Sequence, residues 1–134
     1  MRRLNVAYSS LSGNNHLQCV ADTHAFLWHL TKDRRLGVLA RRHLEATDHG
    51  EAITIVPTIV LAELNYIIEK RSLSLDFSEI VEDFQKAIMY RAYPLDLDVL
   101  EQTSTLTRIN VNDIHDRIIV ATAKISNCPL LTKD

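Results

Sequence analysis

The stretch AITIVPTIVLAELNYIIEKR, residues 52–71, decides the fold. Its first five residues, from Ala52 to Val56, are apolar or β-branched on both faces, a pattern typical of a buried strand in a parallel sheet. Pro57 ends this strand, and Thr58 is placed to cap a helix that runs to about Arg71. A buried strand that leads directly into a helix is the repeating unit of α/β proteins, so we expect further units on either side.

Strands and helices alternate along the rest of the chain as well. This order predicts one domain with a parallel sheet and helices on both faces. Residues 1–16 show no clear period, and we expect a loose tail before the domain at 17–134. The other predicted strands are 17–21, 93–95 and 129–132. The other predicted helices are 23–30, 38–46, 76–90, 98–107 and 113–127. Asp76 and Asp113 are placed to cap two of these helices.

Composition excludes several classes of protein. Only three glycines occur in 134 residues, and they are far apart, which removes any glycine-rich phosphate-binding loop. Two cysteines, Cys19 and Cys128, cannot hold zinc alone and form no CxxC pair, so we expect reduced packing residues. A net charge of −2 does not predict a strongly basic nucleic-acid-binding surface.

No targeting or membrane segment is visible in the sequence. Polar residues follow the basic start at Arg2 and Arg3, where a signal peptide would need an apolar core. The stretch without charge from Ala52 to Ala62 is too short for a bilayer, which needs about 20 residues. We therefore expect a cytoplasmic protein that does not enter a membrane.

Four acidic residues lie where surface charges are unusual. Asp22 follows the first predicted strand, Glu63 sits in an apolar helix, Asp116 stands near the start of the last helix, and Asp134 follows the last strand. Each of these acids also has an interpretation without a functional role. Asp22 suits a helix cap, and Asp116 suits the first turn of a helix. Glu63 suits the rim of its helix, and Asp134 suits a solvated chain end.

The positions of these acids favour a shared role. Carboxyl ends of parallel strands meet at one edge of a sheet, which is where ligands bind in open α/β folds. Carboxylates gathered there cannot all ionise without a cation. Mg²⁺ and Mn²⁺ prefer oxygen ligands, so the pattern predicts a divalent-metal site.

Three segments carry a resemblance to a known family. They are ADTHAFLWHL at 21–30, IVPTIVLAELNYIIEK at 55–70 and DIHDRIIVATAKISNCPLLTKD at 113–134. In this order, and with 18 residues from Asp116 to Asp134, the chain resembles PIN-domain ribonucleases over about residues 17–134. It is most similar to the VapC-type toxins of toxin–antitoxin pairs.

The resemblance implies a three-layer α/β/α sandwich with a central parallel sheet and an acidic pocket for Mg²⁺ or Mn²⁺. Family members usually continue past their last acid into another helix and strand, so we expect that last strand to be missing here. The residues that match the family's pocket acids are Asp22, Glu63, Asp116 and Asp134, with Thr23 in support and Asp113 as a secondary acid.

The activity implied by the resemblance is that of a metal-dependent endoribonuclease. Metal-activated water would hydrolyse an RNA phosphodiester and leave a 5′-phosphate, with Arg117 and Lys133 as candidate RNA contacts. The implied partners are a cognate antitoxin and a second copy of the chain, which would pack through helices. Without the four pocket acids the chain carries thirteen acids against fifteen bases, a balance of +2 that suits a polyanionic substrate.

Two other interpretations stay open at this point. A catalytically weakened PIN-like module would bind an antitoxin or a second copy without cleaving RNA. A phospho-receiver domain also has an acidic pocket in an α/β sheet, but it needs paired acids after the first strand, and only Asp22 is present. The histidines, including His24, His29 and His115, are interpreted as surface or packing residues.

Overall fold

The computed structural model describes residues 16–106 and 113–132. The predicted tail therefore lies outside the described residues, apart from His16. Strands and helices alternate through the described ranges as the sequence predicts. They are β1 (Gln18–Ala21), α1 (Thr23–Leu30), α2 (Val38–Asp48), β2 (Ile53–Pro57), α3 (Thr58–Arg71), α4 (Phe77–Lys86), β3 (Tyr90–Tyr93), α5 (Leu97–Thr103), α6 (Ile114–Ser126) and β4 (Leu130–Leu131).

The strands form one parallel sheet in the order β3-β2-β1-β4. Val20 in the central strand β1 is paired with Ile55 on one side and with Leu130 on the other. All five residues of β2 are buried, as expected for a strand covered on both faces. The predicted α/β/α sandwich with a central parallel sheet is confirmed.

The β3 region differs from the prediction. Helix α4 ends at Lys86 instead of Tyr90, and the strand covers Tyr90–Tyr93 instead of residues 93–95. Tyr90 pairs with Thr54 of β2, and its ring lies 5.9 Å from that of Phe84 and 6.1 Å from that of Phe26. These long-range contacts override the local helical pattern.

The start of α3 also differs from the prediction. Pro57 occupies the N-cap position, with no side-chain cap, and Thr58 is the first helical residue. The Thr58 hydroxyl instead accepts a hydrogen bond from the backbone N–H of Leu95 at 3.2 Å. This contact ties the start of α3 to the segment that follows β3.

Helix α3 is less buried than its composition suggests. The buried residues of this helix are Val60, Leu64 and Ile68, which are four residues apart and form one stripe. Tyr66, in contrast, is 64% exposed. Glu63 lies beside this stripe with its side chain 28% exposed, which is the rim position that the sequence offered as its structural alternative. Apolar surface remains uncovered on this helix.

Several predicted packing residues lie in the core. Phe26 and Trp28 of α1 are both buried in the main hydrophobic cluster. Cys19 and Cys128 are free and buried, as predicted. Burial raises the pKa of both thiols, and the neighbouring Cys128 raises that of Cys19 further. Within the described residues no helix combines the length and apolarity needed to cross a membrane.

One histidine, His43, is a packing residue of the core, one of the two places that the sequence allowed for the histidines. His43 of α2 is fully buried, and its Nε2 lies 2.9 Å from the carbonyl oxygen of Ile53, which identifies Nε2 as the donor. Its Nδ1 has no hydrogen-bond partner within the described part of the chain. Burial lowers the pKa of His43 below its ordinary value of 6.5.

This environment predicts a pH-dependent stability. The unfolded chain protonates His43 near pH 6.5 while the folded chain does not, so the unfolding free energy falls as the pH drops below about 6.5. His43→Gln keeps an amide N–H near the position of Nε2 but does not titrate. Urea unfolding from pH 7.5 to 5 should give a shallower pH dependence for the variant. Equal slopes for the two proteins would contradict this assignment.

Candidate metal centre

Asp22 and Asp116 line one cavity of about 400 Å³ at the carboxyl end of the sheet. Asp22 follows β1 directly, and its backbone N–H donates to the carbonyl oxygen of Leu131 in β4 at 3.0 Å. Asp116 lies in the first turn of α6, the helix that leads to β4. The structure therefore brings together two of the four acids that the sequence singled out.

Asp22 takes the helix-capping role that the sequence offered as its structural alternative. It is the N-cap of α1, where its Oδ1 accepts a hydrogen bond from the backbone N–H of Ala25 at 2.8 Å. This bond fixes the carboxylate at the point where β1 turns into α1. The start of α1 also favours a negative charge, because the helix dipole is positive there.

Asp113 serves the helix that carries Asp116. Its Oδ1 accepts hydrogen bonds from the backbone N–H groups of His115 at 2.8 Å and of Asp116 at 3.1 Å. This is the N-cap that the sequence predicts. The cap orders the first turn of α6 and with it the backbone of Asp116.

Glu63 does not line the cavity but contacts the neighbours of both acids. The buried Thr23, next to Asp22, donates its hydroxyl to Oε1 of Glu63 at 2.7 Å. His115, next to Asp116, approaches Oε2 of Glu63 with its Nδ1 at 3.2 Å. Glu63 thus joins the starts of α1 and α6, and its side chain remains 28% exposed.

Two histidines lie at this site, which the sequence interpretation missed. His24 lines the cavity with the two acids, and its ring stands edge-on to Trp28 with 5.8 Å between the centroids. His115 contacts Glu63. The signal available in the sequence was adjacency, because His24 follows Asp22 by two residues and His115 precedes Asp116 directly.

The donor chemistry fits a hard divalent cation. Asp22, Glu63 and Asp116 offer carboxylate oxygens, and Mg²⁺ commonly uses one or two protein carboxylates together with waters. No three Asp, Glu, His or Cys side chains in residues 16–106 and 113–132 cluster closely enough to hold an ion. The predicted ligand Asp134 and the predicted RNA contact Lys133 lie outside the described residues.

Comparison with known proteins identifies the family. The profile of the PIN domain matches residues 19–134, and the chain belongs to the PIN domain family. This confirms the family resemblance on which the site residues were assigned. Comparison with curated protein sequences gives no significant match.

Solved structures share the fold at low sequence identity. A toxin–antitoxin complex from Klebsiella pneumoniae matches with a TM-score of 0.58 and 18% identity, over 84% of this chain and 82% of that one. The Mycobacterium tuberculosis toxin VapC20, which cleaves the sarcin–ricin loop, matches with a TM-score of 0.58 and 12% identity, over 82% of this chain and 84% of that one. The chain therefore has the fold of VapC-type toxins.

The capping bonds predict that Asp113 acts through helix stability. Asp113→Ala removes the acceptor and should lower the free energy of unfolding by about 1 kcal/mol, as measured by urea denaturation. Asp113→Ser keeps a capping oxygen and should stay near wild type in stability and in Mn²⁺ affinity. A stable Ser variant with weakened Mn²⁺ binding would instead assign the Asp113 carboxylate to the metal centre.

Proposed function

We propose that the protein is a divalent-metal-dependent endoribonuclease and the toxin of a toxin–antitoxin pair. One observation carries the proposal: in a chain of the PIN domain family, Asp22 and Asp116 line the same cavity. The fold shared with VapC20, a toxin that cleaves the sarcin–ricin loop, supports RNA as the substrate class.

The proposed ligands are Asp22 and Asp116. Glu63 and Asp134 are proposed to contact the ion directly or through a water molecule. Bound there, Mg²⁺ or Mn²⁺ lowers the pKa of water and stabilises charge on a phosphodiester. The chain's own contribution is to hold the carboxylates in place, through the cap that Asp22 makes with Ala25 and the capped first turn that carries Asp116. Arg117 and Lys133 are the proposed phosphate contacts.

The activity is tested by paired substitutions of acids in similar positions. Asp22→Asn and Asp116→Asn remove a negative charge with little change in shape, and each should reduce Mn²⁺-dependent RNA cleavage at least about 100-fold. Glu79→Gln is the matched control, because Glu79 is also an acid in the first turn of a helix but is exposed on α4 and does not line the cavity. EDTA should abolish cleavage by wild type.

Cleavage that survives both substitutions and EDTA would contradict the proposed enzyme. Absence of cleavage by wild type, together with undetectable Mg²⁺ and Mn²⁺ binding in calorimetry, would favour the alternative. In that alternative the chain is a PIN-like module that binds an antitoxin or a second copy.

An antitoxin is the proposed regulatory partner. The Klebsiella structure that shares the fold is a toxin–antitoxin complex, which supports this class of partner. The proposed place of action is the cytoplasm, and two buried free cysteines suit a reducing compartment.

A homodimer is the second proposed assembly. Leu97 and Leu100 of α5 are 80% and 45% exposed, which is unusual for neighbouring leucines and suits a helix that packs against a second copy. Leu97→Glu with Leu100→Glu should convert the dimer to a monomer in sedimentation velocity. The matched control is Ile88→Glu, which alters a 71% exposed apolar residue outside α5 and should leave the dimer intact. An equal shift with the control would rule out α5 as the interface.

A further inference from the structure

The carboxylate of Glu63 is engaged at both oxygens. The Thr23 hydroxyl contacts Oε1 at 2.7 Å, and the His115 ring contacts Oε2 at 3.2 Å. Contacts at both oxygens, made by two different helices, restrict the orientation of the carboxylate more than a contact at one oxygen does. The partners come from α1 and α6, so Glu63 of α3 connects three helices.

These contacts lie directly beside the two cavity acids. Thr23 is the neighbour of Asp22 in sequence, and His115 is the neighbour of Asp116. A shift of the Glu63 carboxylate therefore acts on the start of α1 and on the start of α6, the two elements that present the acids to the cavity.

We propose that His115 is a positioning residue for the metal centre. Its Nδ1 holds the carboxylate of Glu63, which is also bound by Thr23. Through this chain of contacts His115 sets the position of Asp116 relative to Asp22. This proposal rests on the proposed function, because it assigns a role toward the ion that the acids bind. It differs from the sequence interpretation, in which His115 is a surface or packing residue.

The role of His115 lies in its side-chain contact and not in the stability of α6. The ring is 47% exposed and buries little apolar surface. The backbone N–H of His115 is capped by Asp113 independently of the ring. Removal of the ring therefore leaves the helix cap intact while it frees one oxygen of Glu63.

Three substitutions separate this role from others. His115→Asn places an amide nitrogen near the position of Nδ1, His115→Gln places one near the position of Nε2, and His115→Ala has none. Removal of a residue that contacts and orients a metal ligand commonly weakens metal affinity 10- to 100-fold. We expect the dissociation constant for Mn²⁺, measured by electron paramagnetic resonance, to rise about 10-fold in the Ala and Gln variants and to stay near wild type in the Asn variant.

His49→Ala is the matched control. His49 is an exposed histidine whose Nδ1 is also hydrogen-bonded, to the carbonyl oxygen of Glu45 at 2.7 Å, but it lies at the end of α2 away from the acids. It should leave Mn²⁺ affinity unchanged. In a Glu63→Ala background, His115→Ala should weaken Mn²⁺ binding no further, because the two residues act as one unit.

A readout without metal keeps the inference distinct from the proposed function. In EDTA, spectra of ¹⁵N-labelled histidine should show a proton on Nδ1 of His115 in wild type, and Glu63→Ala should change that signal. If the signal is present but wild type binds no Mn²⁺, the proposed metal centre and the positioning role are both overturned, although the pairing stands. A second outcome would also overturn the positioning role: His115→Ala binds Mn²⁺ with wild-type affinity, its kcat is lower, and His115→Asn does not restore kcat. In that case His115 acts on the substrate or on proton transfer.

Discussion

The pairing of β1 with β4 is the constraint on which the site depends. Asp22 donates its backbone N–H to Leu131 of β4, which anchors the turn from β1 into α1. Because β4 runs parallel to β1, α6 must begin at the same edge of the sheet where β1 ends. The chain thereby places Asp116 opposite Asp22 across one cavity, although 93 residues separate them in the sequence.

Helix starts supply the second physical element of the site. Asp22 caps α1, and Asp116 lies in the capped first turn of α6, so both carboxylates stand where the backbone favours negative charge. This allows acids to gather at the sheet edge before any cation is bound. A helix terminus compensates each charge only in part, which is why a divalent ion suits the remaining negative potential. Glu63 adds a link between these two helix starts through a hydrogen bond from Thr23 and a 3.2 Å contact with the His115 ring.

Local sequence patterns predicted the parts of the fold that depend on local chemistry. The all-apolar β2, the caps at Asp76 and Asp113, and the edge position of Asp22 each follow from a few neighbouring residues. Tyr90 could not be assigned in this way, because its place in β3 depends on Thr54 and on two distant aromatic rings. The partial exposure of α3 could not be predicted for a similar reason: composition counts apolar residues but does not say which face of the helix lacks a neighbour. The contact between His115 and Glu63 joins residues 52 positions apart, which no local pattern reports.

We propose that the carboxyl edge of this sheet binds a divalent cation. The most direct measurement is anomalous diffraction from crystals soaked in Mn²⁺, because it locates the ion without reference to activity. We expect an anomalous peak in the cavity, about 2.0 to 2.4 Å from a carboxylate oxygen of Asp22 or Asp116, with waters completing the ligand shell. An ordered cavity without a peak, or Mn²⁺ bound only at other surfaces, would contradict it.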